Sequence, residues 1–412
     1  MNLSSHIFTN VKLVFPDRVV PGSVLIEKGV ITAVDESDAL NSGYPPGWNG
    51  GSESAKPALV DGEGLYLAPG FIDIHNHGRL GCDAVDGKTS SMETIARNQA
   101  EHGVTGFLAG TSSIPWEKSL DALRFLADYC KAETEKISSE GTEGAASRGA
   151  RCMGIYSEGS FFSIEKRGAH NPKCLKSALT WENLEELFSA TGPALKVVAL
   201  SPELPGAEEW IRSIKSKGIA VAAAHTNATY KEARRGINAG ITLGTHTFNG
   251  MRGLSHQEPG ILGALLDDDR VSCELIADGI HLSPVILSLV YKLKGPDKII
   301  LISDSVLANG LSDGRYEYEG RIVIIKDGAV RLEDGRLAGS TLSLDRAVRN
   351  MVNLGRLSLC HAVRAASLNP ARILRLEHRK GSLEAGKDAD LILFDENVSI
   401  KKVFIGGQPF IP

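Results

Sequence analysis

The sequence of 412 residues has no uninterrupted apolar run of about 18 residues, which is the length that a membrane-spanning helix requires. Its first ten residues are polar and contain no apolar core flanked by basic side chains, as a secretory signal would. We therefore expect neither a membrane anchor nor a membrane partner.

Clusters of like charge are also missing. The chain has 45 basic and 50 acidic residues, scattered along its length, and a net charge of −5. Nucleic-acid binding requires a concentrated basic surface, so no nucleic-acid partner is expected. The six cysteines are widely spaced and lack paired metal-type spacing, which is typical of reduced thiols and predicts a cytoplasmic protein.

Between residues 65 and 306, short apolar strand-like runs alternate with amphipathic helix-like runs. This alternation is typical of repeated βα units around a parallel sheet. Eight such strands predict the α/β class and a (β/α)8 TIM barrel. The predicted strands are 67–74, 106–110, 152–156, 196–200, 220–224, 241–244, 272–277 and 298–302, and the predicted helices are 92–102, 119–131, 181–191, 207–217, 230–238 and 284–294.

The two ends of the chain have a different pattern, with short β segments broken by turn residues. We expect these segments to pair into a small β-sandwich module formed from both termini. The predicted domains are this module, at 1–64 and 376–412, and a metal-dependent barrel hydrolase domain at 65–375. Two late helices, at 342–354 and 360–374, are expected to connect them, and 41–57 and 131–151 are predicted to be surface loops. The β segments of the module are 19–27, 30–34, 390–394 and 402–405.

Polar side chains follow most of the predicted barrel strands. Active sites of TIM barrels lie at the carboxyl ends of the strands, and neutral imidazoles with carboxylates are ligands that suit zinc or a similar ion. One histidine alone more often serves structure, but seven such residues at strand ends predict a metal site. They are His75 and His77 at the end of the first strand, then Glu158, His225, His246, His281 and Asp304 after later strands.

The segment PGFIDIHNHG (69–78) resembles the opening metal motif of the amidohydrolase superfamily. Further segments, from the barrel to the closing β module, resemble N-acetylglucosamine-6-phosphate deacetylases as a set. They are GAHNP (168–172), AHTNAT (224–229), THTFNGM (245–251), IADGIH (276–281), LAGS (337–340) and GKDADL (386–391).

The resemblance implies metal-dependent deacetylation of N-acetylglucosamine 6-phosphate to glucosamine 6-phosphate and acetate. It implies that Glu158, His225 and His246 hold the principal divalent metal ion, zinc by ligand type, and that His75 and His77 add a second ion. One or two ions per chain are thus expected.

Roles for further residues follow from the same resemblance. Asp304 would handle the proton of the attacking water, and His170 would steady the acetamide carbonyl. Asn249, the backbone of Gly250 and His281 would hold the sugar phosphate. The small-molecule amino sugar is the expected partner, together with a second copy of the chain in a homodimer.

The sequence departs from the family pattern at two places. Tyr156 and Ser157 precede Glu158 where the family has histidine and leucine, so the surroundings of this ligand change. Gln257 occupies the substrate-binding position of an arginine that crosses a dimer interface to the phosphate in the family. Losing a charged contact should weaken phosphate binding by about 1.5–3 kcal/mol unless Arg252 or His256 compensates.

Three functions therefore remain open on the sequence. The first is the deacetylase reaction, and the second is related amidohydrolase chemistry on a different N-acyl substrate, including an unphosphorylated one. The third is a non-catalytic binding paralogue, which the presence of all inferred ligands and of Asp304 argues against.

Overall fold

The computed structural model describes residues 5–36, 57–140, 149–318 and 321–411. The predicted loop 41–57 lies outside these residues, apart from Pro57. Strands and helices are numbered in chain order. None of the described helices has the length and apolar character to cross a membrane.

Eight parallel strands form the predicted barrel, in the order β6-β9-β10-β11-β12-β13-β14-β15. The backbone N–H of Asp304 donates to the carbonyl of His75 at 2.9 Å and that of His77 to Ser305 at 2.8 Å, which joins the last strand to the first. The strands are β6 (Phe71–Asn76), β9 (Val104–Gly110), β10 (Arg151–Ser157), β11 (Leu195–Leu200), β12 (Ala220–Ala223), β13 (Leu243–Gly244), β14 (Ser272–Leu275) and β15 (Ile299–Leu301).

Helices connect the barrel strands and bury one face against them. In α4, for example, Trp210, Ile211 and Ile214 recur at helical spacing and are at most 1% exposed. The helices are α1 (Thr89–Glu101), α2 (Trp116–Glu140), α3 (Trp181–Thr191), α4 (Ala207–Ser216), α5 (Tyr230–Ala239), α6 (Gly260–Asp267), α7 (Pro284–Lys294), α8 (Leu344–Asn353), α9 (Leu359–Ala366) and α10 (Leu368–Ile373).

Strands from both ends of the chain share one sheet, as predicted for the terminal β module. The order is β22-β21-β20-β5-β1-β2-β3, with β4 paired to β1, so β5 and β20 join the two ends in antiparallel register. The strands are β1 (His6–Val14), β2 (Val19–Glu27), β3 (Val30–Asp35), β4 (Ala58–Asp61), β5 (Tyr66–Pro69), β20 (Leu391–Phe394), β21 (Ile400–Ile405) and β22 (Gln408–Pro409).

The first predicted strand is in fact two strands in different sheets. The chain passes from β5 of the terminal sheet to β6 of the barrel through Gly70, whose N–H donates to Asp390 O at 2.8 Å. A Cβ at position 70 would lie 2.3 Å from the side chain of Thr105, so only glycine fits this crossing.

The structure also contains a four-stranded antiparallel sheet that the sequence analysis missed. It follows the last barrel strand and packs Val323, Ile325 and Val330 against Val306 and Ala308. Its strands are β16 (Gly314–Tyr318), β17 (Arg321–Lys326), β18 (Ala329–Leu332) and β19 (Leu337–Ser340), and a two-stranded ribbon pairs β7 (Gly78–Arg79) with β8 (Cys82–Asp83).

Two helix predictions need correction, and one helix was not predicted. The helix predicted at 119–131 continues to Glu140, so the first half of the predicted surface loop 131–151 is helical. Residues 260–267 form a helix that was not predicted, and the helix predicted at 360–374 is two helices separated at Ser367.

Candidate metal centre and active site

The predicted metal ligands converge at the carboxyl ends of the barrel strands. His75 lies on β6 and His77 directly after it, while Glu158 follows β10 by one residue. His225 and His246 lie two residues beyond β12 and β13, and Asp304 lies three beyond β15. All six side chains are buried.

Glu158 stands between two groups of histidines. Its Oε2 lies 3.2 Å from Nε2 of His77 and 3.4 Å from Nε2 of His75. Its Oε1 lies 3.1 Å from Nε2 of His246 and 3.4 Å from Nε2 of His225. Each carboxylate oxygen therefore faces one pair of imidazole rings.

Two sets of potential metal ligands result from this arrangement. The first consists of His75, His77 and Asp304, and the second of Glu158, His170 and His225; within each set, the ligand atoms lie within 4.8 Å of one another. Nε2 of His246 is 3.1 Å from Nε2 of His225, so it adjoins the second set. His170, which the resemblance assigned to the acetamide, belongs to the second set and is therefore also a potential metal ligand.

The contacts among the rings fit a bound cation. Nε2 of His75 lies 3.2 Å from that of His77, and Nε2 of His170 lies 3.0 Å from that of His225. Two imidazole nitrogens that face each other can share only one proton, whereas two lone pairs directed at one ion need none. Nitrogen and carboxylate donors are also the ligand types that zinc takes.

The buried carboxylates of the site favour positive charge on or near the histidine rings. Burial alone would lower the pKa of His75 and of His77. Glu158 and Glu274 instead raise the pKa of His75 well above its usual range, and Asp304 with Glu158 raises the pKa of His77 to about 10. A divalent ion supplies the same charge while the rings stay neutral.

Asp304 is held as a carboxylate. Burial opposes its ionisation, but the hydrogen bond from His77 and the charges of His75 and His246 lower its pKa to about 2. Its Oδ1 lies 3.3 Å from Nε2 of His77. It is therefore ionised at neutral pH.

Three of these residues have a left-handed backbone, which is costly for side chains other than glycine. The φ angles are 43° at His225, 28° at His246 and 46° at Asp304. Each such residue costs on the order of 1–3 kcal/mol and persists only where its surroundings hold it. At Asp304 the N–H donates to His75 O at 2.9 Å, and the carbonyl accepts from Ser340 N at 2.8 Å.

The ligand set opens into a cavity of about 260 Å³. The predicted substrate residues His170, Asn249, Gly250 and His281 line it. Gly250 has φ 60°, and a Cβ there would lie 2.6 Å from Nδ1 of His225, so glycine is required.

Gln257 is not part of this cavity, in contrast to the other predicted substrate residues. Its side chain is exposed, as is that of His256, and Arg252 donates to Asn227 Oδ1 at 3.2 Å. The cations on the cavity wall are instead Arg321 and Arg336, which the sequence analysis did not single out.

Sequence reasoning also missed Glu274, a fully buried acid inside β14. Its Oε2 lies 3.0 Å from Nδ1 of His75 and accepts from the N–H of His246 at 3.2 Å. An acid within an otherwise apolar barrel strand was the available signal.

Tyr156 occupies the position where the family pattern has histidine. Its ring stacks on that of His75, with 4.3 Å between centroids and 28° between planes. Its hydroxyl lies 2.7 Å from Oγ1 of Thr245 and donates to Glu274 Oε2 at 3.5 Å. Tyr156, which replaces the family histidine before Glu158, therefore packs against His75 of the first histidine pair.

Comparisons with known proteins identify the family of the chain. Residues 66–410 match the model of the amidohydrolase family. The chain is 37% identical to the N-acetylgalactosamine-6-phosphate deacetylase of Escherichia coli O157:H7, over 85% of this chain and 89% of that protein. It is 36% identical to the N-acetylglucosamine-6-phosphate deacetylase of Vibrio furnissii, over 95% of this chain and 93% of that protein.

Solved structures give the same relationship. The N-acetylglucosamine-6-phosphate deacetylase of Thermotoga maritima is 32% identical and superposes with a TM-score of 0.83, covering 98% of this chain and 99% of that one. A variant of the Mycobacterium smegmatis deacetylase, in complex with N-acetyl-D-glucosamine-6-phosphate, is 28% identical with a TM-score of 0.87, covering 99% and 100% of the two chains. The chain is therefore a hydrolase of the amidohydrolase family, and within it a member of the N-acetylglucosamine-6-phosphate deacetylase family.

Proposed function

We propose that this protein hydrolyses the acetamide of N-acetylglucosamine 6-phosphate to give glucosamine 6-phosphate and acetate. The observation that carries the proposal is the position of Glu158 between two histidine groups, with Asp304 beside one of them, at the base of a cavity. It occurs in a chain that aligns with 93% of a relative named for this reaction.

Glu158, His225 and His246 are the proposed ligands of the principal metal ion, and His75 with His77 those of a second ion. The donor set supports zinc, because imidazole nitrogen and carboxylate oxygen are its usual ligands. When bound, such an ion polarises the acetamide carbonyl and activates the attacking water.

Asp304 is the proposed catalytic acid and base. It is ionised at neutral pH, and in the proposed role it takes the proton of the attacking water and then delivers it to the leaving amine. His170 lies in the cavity wall, and burial together with the charge of His225 lowers its pKa well below its usual range. Its neutral ring can donate a hydrogen bond to the acetamide oxygen.

The sugar phosphate is proposed to lie away from the two carboxylates, which would repel it. Asn249, the backbone of Gly250 and His281 are the proposed polar contacts. Positive charge would come from Arg321 and Arg336, because these arginines line the same cavity. Gln257 would then contribute to phosphate binding only from a neighbouring subunit.

We also propose a homodimer. Helix α7 exposes three apolar side chains at a spacing of four residues: Val285 is 67% exposed, Leu289 45% and Leu293 60%. Such a stripe is unusual on a free surface and suits a second copy of the chain. Light scattering should give twice the chain mass, and Leu289→Glu should shift it to the monomer while Leu59→Glu, on β4, should not.

Two further proposals concern organisation and location. Residues 65–375 would carry the hydrolase activity, with 1–64 and 376–412 as a supporting β module. The six cysteines, all within the described residues, form no disulfide, which supports a reducing, cytoplasmic location.

The test of the function is acetate release from a panel of sugars. The panel contains N-acetylglucosamine and N-acetylgalactosamine, each with and without the 6-phosphate, and Asp304→Asn serves as the inactive control. We expect the highest kcat/KM on N-acetylglucosamine 6-phosphate. A preference for the galacto epimer would change the sugar, a preference for free sugars would remove the phosphate from the proposal, and no acetate from any of them would overturn it.

A further inference from the structure

Glu274 is a buried carboxylate beside the candidate metal centre that the proposed reaction does not use. It is 0% exposed, lies within strand β14, and is not among the residues that line the cavity. A carboxylate is costly to bury, so its partners are informative.

Those partners belong to both histidine groups. Oε2 of Glu274 lies 3.0 Å from Nδ1 of His75 and accepts from the backbone N–H of His246 at 3.2 Å. The hydroxyl of Tyr156 approaches it at 3.5 Å, and Oε1 has no hydrogen-bond partner among the described residues. The ion pairs of the described residues join Glu274 to His75 and to no lysine or arginine.

This contact determines which nitrogen of His75 is free. If Nδ1 keeps its proton to donate to Glu274, the lone pair must be on Nε2. Nε2 is the atom that faces His77 at 3.2 Å and Asp304 at 3.7 Å. The other histidine of this pair lacks such support, because Nδ1 of His77 has no hydrogen-bond partner within the described residues.

We infer that Glu274 is a positioning residue for the second metal ion, which it supports by fixing the tautomer and orientation of His75. A carboxylate behind a ligand histidine also makes the imidazole a stronger donor, and its negative charge is balanced by the cation in front of the ring. The inference rests on the proposed metal site of the deacetylase.

The inference predicts unequal loss of the two ions when Glu274 is changed. Glu274→Gln keeps the size of the side chain and removes its charge. Metal content per chain, measured by mass spectrometry after dialysis against increasing chelator, should show the second ion leaving at a concentration about 10- to 100-fold lower than in wild type. The principal ion should leave at the wild-type concentration.

The matched control is Glu203→Gln. Glu203 is another largely buried acid near a strand end, where it accepts from Thr226 Oγ1 at 2.6 Å and from the N–H of Asn227 at 2.6 Å. Within the described residues, neither of these hydrogen bonds involves a candidate ligand, so its variant should keep both ions with wild-type affinity. An equal change in Glu203→Gln and Glu274→Gln would indicate general destabilisation and overturn the inference.

Nitrogen NMR of wild-type protein labelled on histidine gives a second measurement that does not depend on the variant folding. The zinc-loaded protein should show His75 with a proton on Nδ1 and none on Nε2. The opposite tautomer, a single ion per wild-type chain at metal saturation, or equal retention of both ions in Glu274→Gln would each overturn the inference. Acetate release by a protein with one ion would still uphold the proposed reaction, so the two failures are distinguishable.

Discussion

Oδ1 of Asp304 lies 3.3 Å from Nε2 of His77, so the proposed proton carrier is in direct contact with a proposed metal ligand. The contact joins the end of the barrel's last strand to the end of its first. It places the proposed acid–base group and the proposed metal centre within one hydrogen-bonded unit.

Asp304→Asn is expected to lower kcat about 100- to 10,000-fold, the usual contribution of a positioned acid–base group. The amide keeps the shape of the side chain but cannot carry the proton. Acetate release under saturating substrate measures the effect. Asp327→Asn, an exposed acid on a turn of the four-stranded sheet, is the control and should keep wild-type kcat. A fall of less than about 10-fold for Asp304→Asn would contradict this role.

Removal of metal is expected to abolish activity and to lower Tm. Without a cation, the buried carboxylate of Glu158 loses the positive charge that balances it. The folded state also loses the stabilisation that binding provides, which is about 4 kcal/mol for a ligand present at 1,000 times its Kd. Thermal melts with and without a chelator measure the shift, and added Zn²⁺ should reverse it. In Glu158→Gln, which removes the carboxylate shared by both groups, the chelator should no longer change Tm. A wild-type enzyme that stays fully active after metal analysis finds no ion would refute the metal site.

The double variant Arg321→Gln, Arg336→Gln is expected to lower kcat/KM for the phosphorylated sugar about 10- to 100-fold, because a charged hydrogen bond contributes roughly 1.5–3 kcal/mol. The rate on the same sugar without phosphate should change little. Arg331→Gln is the control, since Arg331 is exposed on β18 of the same sheet and does not line the cavity. An equal loss on both sugars would mean that these arginines shape the cavity rather than bind the phosphate.

Lys380→Met is expected to destabilise the protein by about 3–5 kcal/mol at pH 7, because it leaves Asp390 buried without its ion-pair partner. Burial alone would raise the pKa of Asp390, but Lys380 and a hydrogen bond from Gly406 lower it. A carboxyl with a lower pKa in the folded than in the unfolded state stabilises above its unfolded pKa, about 3.9, and that stability is lost as pH falls through the folded pKa.

The difference in unfolding free energy between wild type and Lys380→Met should therefore shrink as pH falls toward 4 and below. Urea denaturation at a series of pH values measures it. Lys401→Met is the control, because Lys401 pairs with Asp395 at 2.9 Å on the surface and such pairs contribute about 0–1 kcal/mol. A difference that stays constant with pH would show that Lys380 acts through packing and not through its charge.

The barrel and its candidate ligands could be predicted because both depend on local patterns. Each strand is a short, mainly apolar run, and each candidate ligand lies on such a strand or within three residues after it, as His225 lies after β12 and Asp304 after β15. The position of Glu158 between the two histidine groups could not be predicted from local patterns. His75 and Glu158 are 83 residues apart in the sequence, and they meet only because the barrel brings their strands together.

Other features were missed for identifiable physical reasons. The contact between His75 and Glu274 spans 199 residues and leaves no local pattern beyond one acid in an apolar strand. The boundary between β5 and β6 at Gly70 was not predicted, because the residues on either side of it are apolar. Glycine is required there because Thr105 lies close to it. The four-stranded sheet did have a local signal, the Asp327–Gly328 turn between β17 and β18, which is typical of a hairpin.

The hydrogen bond from Ser340 to the carbonyl of Asp304 has a consequence for selectivity. Ser340 ends β19, and residues 337–339 of that strand line the cavity. This part of the cavity wall is therefore joined to the backbone of Asp304, the proposed proton carrier, by a hydrogen bond. We expect a sugar that is too bulky for the cavity to push residues 337–339 outward and, through this hydrogen bond, to move Asp304 away from the reacting atoms. We therefore expect a substrate that fits poorly to be turned over more slowly, as well as bound more weakly, even when its acetamide reaches the proposed metal centre.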